Sequence, residues 1–207
     1  MEKKGIVIDP TAFVHPTAIL EGNVTIGAYS EVGAGCILTG NITIGHHTWL
    51  LCSIVLRGTI VIGNYVNIYD LVNIEGGRPK MPIGSSTAKE AETAIIGDYC
   101  WVNHGAVMHG THMDEEAAVG GNTFCDYGTK LGKGAILGNG SATHVEQRIP
   151  ENCLAEGVPA KVVRKNITDD DRQKYFGLLP KSWTLYVAER LEKKEYRDAR
   201  REKARVE

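Results

Sequence analysis

The chain has 207 residues, with 23 Lys+Arg against 25 Asp+Glu for a formal net charge of −2, and 43% of its positions are apolar. So balanced a charge excludes a strongly basic nucleic-acid binder and an acidic disordered tail. Aromatic residues make up 7% and glycines number 24, which favours short strands and tight turns around an aliphatic core.

The five cysteines, Cys36, Cys52, Cys100, Cys125 and Cys153, are odd in number and widely spaced, with no C-x-x-C. A disulfide framework or zinc ribbon is therefore not expected, and a reducing cytoplasm is the expected compartment. The N-terminal residues lack the apolar run of a secretory signal, and no stretch approaches the roughly 18 apolar residues of a membrane span, so neither membrane nor nucleic acid is an expected partner.

From Ile8 onward every sixth residue is aliphatic: Ile8, Val14, Leu20, Ile26, Val32, Leu38, Ile44, Leu50, Leu56, Ile62, Ile68 and Ile74. At the overall apolar frequency such a run arises by chance on the order of once in tens of thousands. Neither an α-helix nor an alternating strand has this period. A chain that makes a short strand, turns a corner and repeats does, with three hexads closing a triangular coil of about 18 residues and coils stacking about 4.8 Å apart. This is the hexapeptide parallel β-helix, an all-β fold.

Residues 76–94 interrupt the repeat with a Gly/Pro/Ser-rich stretch, expected as a protruding loop that is either functional or a disordered excursion. It carries Lys89, Glu90 and Glu92. The period resumes at Ile96, Val102 and Met108, slips by one residue at Met113, and continues through Val119, Cys125, Leu131 and Leu137. Residues 1–163 are thus expected to form the β-helix and 164–207 a helical segment packed on it. Thr168 followed by Asp169, Asp170 and Asp171 reads as an N-cap with an acidic first turn; Pro180 then breaks the chain, and Ser182 caps a second helix running to about Arg205. Trp183, Val187 and Leu191 make its apolar stripe. The charged end beyond Lys193 reads as a solvated helix terminus, with a partner-binding tail as the alternative.

The segment Ile96-Gly97-Asp98-Tyr99-Cys100-Trp101-Val102-Asn103-His104-Gly105-Ala106-Val107-Met108-His109-Gly110, with two histidines five residues apart, resembles the γ-class carbonic anhydrase family of left-handed β-helix proteins. Arg57-Gly58, Asn67-Ile68-Tyr69-Asp70 and Glu156-Gly157-Val158-Pro159-Ala160-Lys161 follow the same order. The resemblance implies a homotrimer with a divalent metal, zinc foremost and iron or cobalt next, held at each subunit interface by two ligands from one chain and one from its neighbour. It carries two ligands onto His104 and His109 and an Arg/Asp pair onto Arg57 and Asp70. The remaining histidine ligand falls on Glu75, the acidic residue expected after Arg57 on Thr59, and the Gln expected before Asp70 on Tyr69. The candidate catalytic residues are accordingly Glu75, Arg57, Asp70 and Tyr69, and the candidate metal ligands Glu75, His104 and His109.

Spacing offers an independent check. If the loop merely replaces one corner, Glu75 and His109 stack on one face, 18 residues of coil plus 16 of insertion apart, while His104 lies elsewhere and must serve a second subunit. Glu75 has an alternative as a salt-bridge partner of Arg57 or Arg78, and Arg57 with Asp70 reads as an interface pair before a catalytic one. His15, His46, His47, His112 and His144 read as ordinary surface residues, His112 least firmly because it lies three residues from His109.

A carboxylate among the ligands cancels one unit of the ion's charge and makes bound water a weaker acid, which argues against efficient carbon dioxide hydration more than against metal. A loop carboxylate shuttling protons and a merely solvated loop both remain open. Three functions remain: a γ-carbonic-anhydrase-like metal lyase acting on a small molecule, an acyl-coenzyme A transferase or thioesterase of the hexapeptide superfamily, and a non-catalytic accessory subunit.

Overall fold

The computed structural model describes residues 5–77 and 93–204. Successive hexads lie on three faces of a left-handed triangular prism. On the first face, Val7–Ile8 and the second halves of Ile19–Ile26, Ile37–Ile44 and Val55–Ile62 are followed by Ala94–Ile96, His112–Met113, Lys130–Leu131 and Arg148–Ile149. The second face stacks Phe13–Val14, Glu31–Val32, Trp49–Leu50, Asn67–Ile68, Trp101–Val102, Ala118–Val119, Ile136–Leu137 and Leu154–Glu156, and closes with Lys161–Arg164, the one antiparallel pairing among the described residues. The third face holds the first halves of the three long strands, then Asn73–Gly76, Val107–His109 and Phe124–Cys125.

The hexad residues point inward. Ile26, Leu38, Ile44, Leu50, Leu56, Ile62, Ile68 and Ile74 are at most 1% exposed, each burial contributing about 1.5–3 kcal/mol, whereas Ile8 at the open end is 40% exposed. Buried inward residues continue past Leu137 to Ile149 and Ala155, so the coil outlasts the run of large aliphatics that announces it. Gly40, Gly58 and Gly76 stack at one corner, where backbones approach too closely for any side chain. A Cβ on Gly58, whose φ is +90°, would stand 1.7 Å from the Gly76 carbonyl oxygen.

The insertion leaves the stack in register. Ile96 pairs with Ile62 directly while Gly76 pairs with Gly58 of the same underlying strand, so the chain re-enters the ladder in the coil it left. Lys89, Glu90 and Glu92 lie outside the described residues. All five cysteines are free, and burial pushes the Cys36 thiol up to about 11 and the Cys125 thiol up to about 12, so both act as core packing.

Three helices cover the second face: α1 (Asp169–Phe176), α2 (Pro180–Glu192) and α3 (Lys194–Lys203). Thr168 caps α1 as expected, with reciprocal bonds between its side chain and the Asp171 N–H and between its N–H and the Asp171 carboxylate. Ser182 is not a cap. Pro180 occupies the first helical position of α2, where its fixed φ and missing N–H cost nothing, so it starts the helix instead of breaking the chain ahead of it. Nor is there one helix to Arg205, because Lys193 is extended (φ −68°, ψ 121°) and re-aims the chain into α3.

The charged terminus is correspondingly not a solvated end. Glu31 sits at an outward position of the second face with its side chain only 3% exposed, and α3 supplies its partners: Arg200 at 2.7 Å and the Tyr196 hydroxyl, which donates at 2.9 Å. Two histidines read as surface residues are buried, His15 at 6% and His47 at 8%. The His47 ring lies between Tyr29 and Tyr65 in a corner ladder, with Nε2 2.8 Å from Glu192 of α2. No helix among the described residues is long and apolar enough to cross a membrane.

Candidate functional site

Parallel pairing on the third face places Arg57 opposite Glu75 and Glu75 opposite His109, the stacking that the 34-residue spacing requires. His109 Nε2 stands 3.9 Å from Glu75 Oε2, too far for a hydrogen bond. Two donors bound at about 2.0–2.2 Å to one tetrahedral ion stand roughly 3.4 Å apart, so a shift of a few tenths of an ångström would let both reach one ion. His109 Nδ1 is buried and has no hydrogen-bond partner among the described residues, while Phe124 and Tyr127 pack on the ring at 5.2 and 4.8 Å. The polar chemistry of this imidazole therefore runs through Nε2, on the side of Glu75. Arg57 is exposed and makes no ion pair with Glu75 or Asp70 among the described residues.

His104 lies at the corner between the second and third faces, with its side chain 55% exposed. Its Nδ1 is 3.3 Å from Asp70 Oδ2, and the other Asp70 oxygen accepts the Cys52 N–H at 2.9 Å. Asp70 is thus pinned by backbone and engages one imidazole nitrogen, which leaves Nε2 as the available donor. The Tyr69 ring packs edge-on against His104 at 4.9 Å, and its hydroxyl accepts a hydrogen bond from Trp183 Nε1 of α2 at 2.7 Å. Burial raises the Tyr69 pKa, and the bond from Trp183 opposes that shift.

The structure therefore brings together Glu75 with His109, and Asp70 with His104 and Tyr69, as two separate groups. Among the described residues of one chain, no three His, Cys, Asp or Glu side chains converge on a point that would hold a metal ion. Two imidazoles and a carboxylate are, as side-chain types, a donor set that zinc, iron and cobalt all accept.

Phe124, Tyr127 and Trp183 were not anticipated at the site. Phe124 was within reach of the hexad register, since it pairs with Val107 one coil below. Trp183 was not, because no period says where a helix docks. Another unanticipated feature lies on the first face, where His112, Lys130 and Arg148 stack in register along a groove of about 400 Å³ that Asp114 and Pro150 also line.

No protein-family model matches the chain. Among curated proteins it is 29% identical over 169 residues to gamma carbonic anhydrase 1, mitochondrial, of Arabidopsis thaliana, covering 81% of this chain and 53% of that one. It is 29% identical over 175 residues to the carnitine operon protein CaiE of Escherichia coli, covering 80% and 70%. A probable carbonic anhydrase of Methanocaldococcus jannaschii is 34% identical over 77 residues, 37% of this chain and 48% of that one. The chain thus spans about half the length of the plant relatives it matches. Among solved structures, a putative acetyltransferase of Bacillus cereus superposes with a TM-score of 0.63 at 22% identity, covering 95% of this chain and 94% of the other. A hexapeptide transferase family protein of Anaplasma phagocytophilum gives 0.55 at 22% identity, covering 95% and 91%. These two likenesses establish the fold alone. The chain is a hexapeptide-repeat β-helix protein similar over most of its length to the gamma carbonic anhydrases and CaiE proteins.

Proposed function

We propose that the chain is a metal-dependent lyase or hydratase of gamma carbonic anhydrase type, working as a homotrimer in which Glu75 and His109 of one protomer and the partner's His104 hold one divalent ion. The observation that carries this reading is the stacking of Glu75 on His109, with Nε2 and Oε2 facing each other at 3.9 Å and neither spent in a hydrogen bond to the other. When bound, a divalent ion supplies the Lewis acidity that makes water a nucleophile at neutral pH. Glu75 sets how much of that acidity survives, since its carboxylate cancels a unit of charge that a third imidazole would leave intact. The Asp70 carboxylate, 3.3 Å from His104 Nδ1, faces that nitrogen of the ring and leaves Nε2 for the ion. Arg57, one coil below Glu75, places a cation where an anionic product would form. Tyr69 backs the His104 ring and is a support.

The test is metal content by elemental analysis with carbon dioxide hydration by stopped flow. Wild type should carry about one ion per chain, His109→Ala should lose it, and Glu75→His should keep it and hydrate faster. Unchanged metal content in His109→Ala, or an unchanged rate in Glu75→His, overturns the reading.

A second reading, acyl-coenzyme A chemistry, draws on the first-face groove, where stacked Lys130 and Arg148 offer positive charge to a phosphate-bearing ligand, with His112 beside them in contact with Asp114 at 3.2 Å. Calorimetric titration with coenzyme A decides it, and no binding at millimolar concentration removes it.

A further inference from the structure

We infer that Trp183 is a positioning residue for His104, acting through Tyr69; this rests on the metal-site reading above. The His104 side chain is more than half exposed, so little packing holds its ring. Two contacts do. Asp70 engages Nδ1 at 3.3 Å, and the face of the ring lies 4.9 Å from Tyr69 at an interplanar angle of 65°. The first contact leaves the imidazole free to rock about that nitrogen; the second blocks that motion only if the Tyr69 ring is itself fixed.

Tyr69 stands at an outward position of the second face, beside Trp49 at 6.3 Å and Trp101 at 5.5 Å. Those neighbours limit its ring on two sides, and the Trp101 side chain also acts on the hydroxyl. The Trp183 indole N–H, at 2.7 Å from the hydroxyl, places it. Position 69 is also where this chain departs from the family pattern it resembles, carrying a side chain long enough to reach α2. The helical segment is thereby connected to the imidazole that the chain lends to its neighbour's site. Trp183 is half-buried and stacks on Tyr186 at 5.4 Å, a contact that phenylalanine would keep while losing the N–H donor.

Removing a partner that orients a metal-binding histidine weakens metal affinity by roughly 10- to 100-fold, and a contact one residue further out falls at the bottom of that range, about tenfold. The experiment measures cobalt(II) affinity by competition with a chromophoric chelator, together with the visible spectrum of the cobalt protein, for wild type, Trp183→Phe, Tyr69→Phe and the double variant. Each single variant should bind about tenfold more weakly with an altered cobalt spectrum and a melting temperature lowered by no more than about 4 °C, the cost of one hydrogen bond. The double variant should be no worse than either, because one hydrogen bond is lost in all three. Should Trp183→Phe fail to fold, Tyr69→Phe carries the same test, since it keeps the ring and removes only the acceptor. Wild-type affinity and spectrum in the single variants, or additive losses in the double, overturn the inference while the metal reading stands. No cobalt binding by wild type overturns both.

Discussion

Replacing Arg200 by Met tests whether α3 is docked through the buried Glu31 carboxylate. Glu31 lies in register between Phe13 and Trp49 on the second face, with Arg200 at 2.7 Å and the Tyr196 hydroxyl at 2.9 Å as its side-chain partners among the described residues. Breaking a buried ion pair from one side costs about 3–5 kcal/mol, because the remaining charge is left without compensation. Here Arg200 is 28% exposed and Tyr196 still donates, which lowers the expected cost to about 2–3 kcal/mol. The helix has an easier response than global unfolding, however. None of its residues is fully buried, so it can release and let water reach Glu31. The loss should therefore appear in hydrogen exchange of residues 194–203, accelerated roughly 30- to 160-fold, with a much smaller shift in the urea midpoint of the β-helix. Glu31→Gln combined with Arg200→Met should recover part of the loss, since no buried charge then remains. Exchange in Arg200→Met within about threefold of wild type would refute the reasoning.

Tyr196 supplies a pH-dependent version of the same contact. Burial, and secondarily the Glu31 charge, push its pKa up to about 12 from an unfolded value near 10. Its contribution is whole below about pH 10 and is lost as pH rises through 12, so α3 should loosen across that window in circular dichroism, and Tyr196→Phe should abolish the step. At the glycine corner, Gly58→Ala brings a methyl group 1.7 Å from a carbonyl oxygen, whereas Gly140→Ala, also at positive φ (+65°), meets nothing within 4 Å. The second should cost about 1–2 kcal/mol of backbone strain in urea unfolding and the first clearly more, and equal losses would show that the close approach of the coils is not what demands glycine.

How much of this molecule can be read from its sequence follows from how each part is held. The prism is legible because one geometric rule, an inward aliphatic at each hexad, acts eighteen residues at a time, and a shifted register would bury Asn41 or Glu21 in place of Ile42 or Leu20. The same rule carries the Glu75 and His109 stacking across an insertion whose own conformation it does not address, since both residues follow an inward position. The coil beyond Leu137 was less legible because its inward residues include Thr143 and Ala155, which no apolar count singles out.

The helical segment obeys no such rule, and the errors gather there. Pro180 and Ser182 are both good helix-start residues, and only the packing of Thr184, Val187 and Leu191 against the second face decides that the helix begins at the proline. The charge beyond Lys193 reads as solvent-facing because local sequence cannot reveal a buried carboxylate some 165 residues earlier. The Trp183 bond to Tyr69 has the same character, joining a half-buried indole to an outward ring 114 positions away. The two halves of the proposed metal site therefore depend on different physics. Glu75 and His109 are set by backbone hydrogen bonding within one ladder, which tolerates surface substitution on every side. His104 is set by side-chain contacts that reach through Tyr69 to a helix, so its geometry should be the more sensitive to distant mutation, and the Trp183 and Tyr69 variants probe that sensitivity.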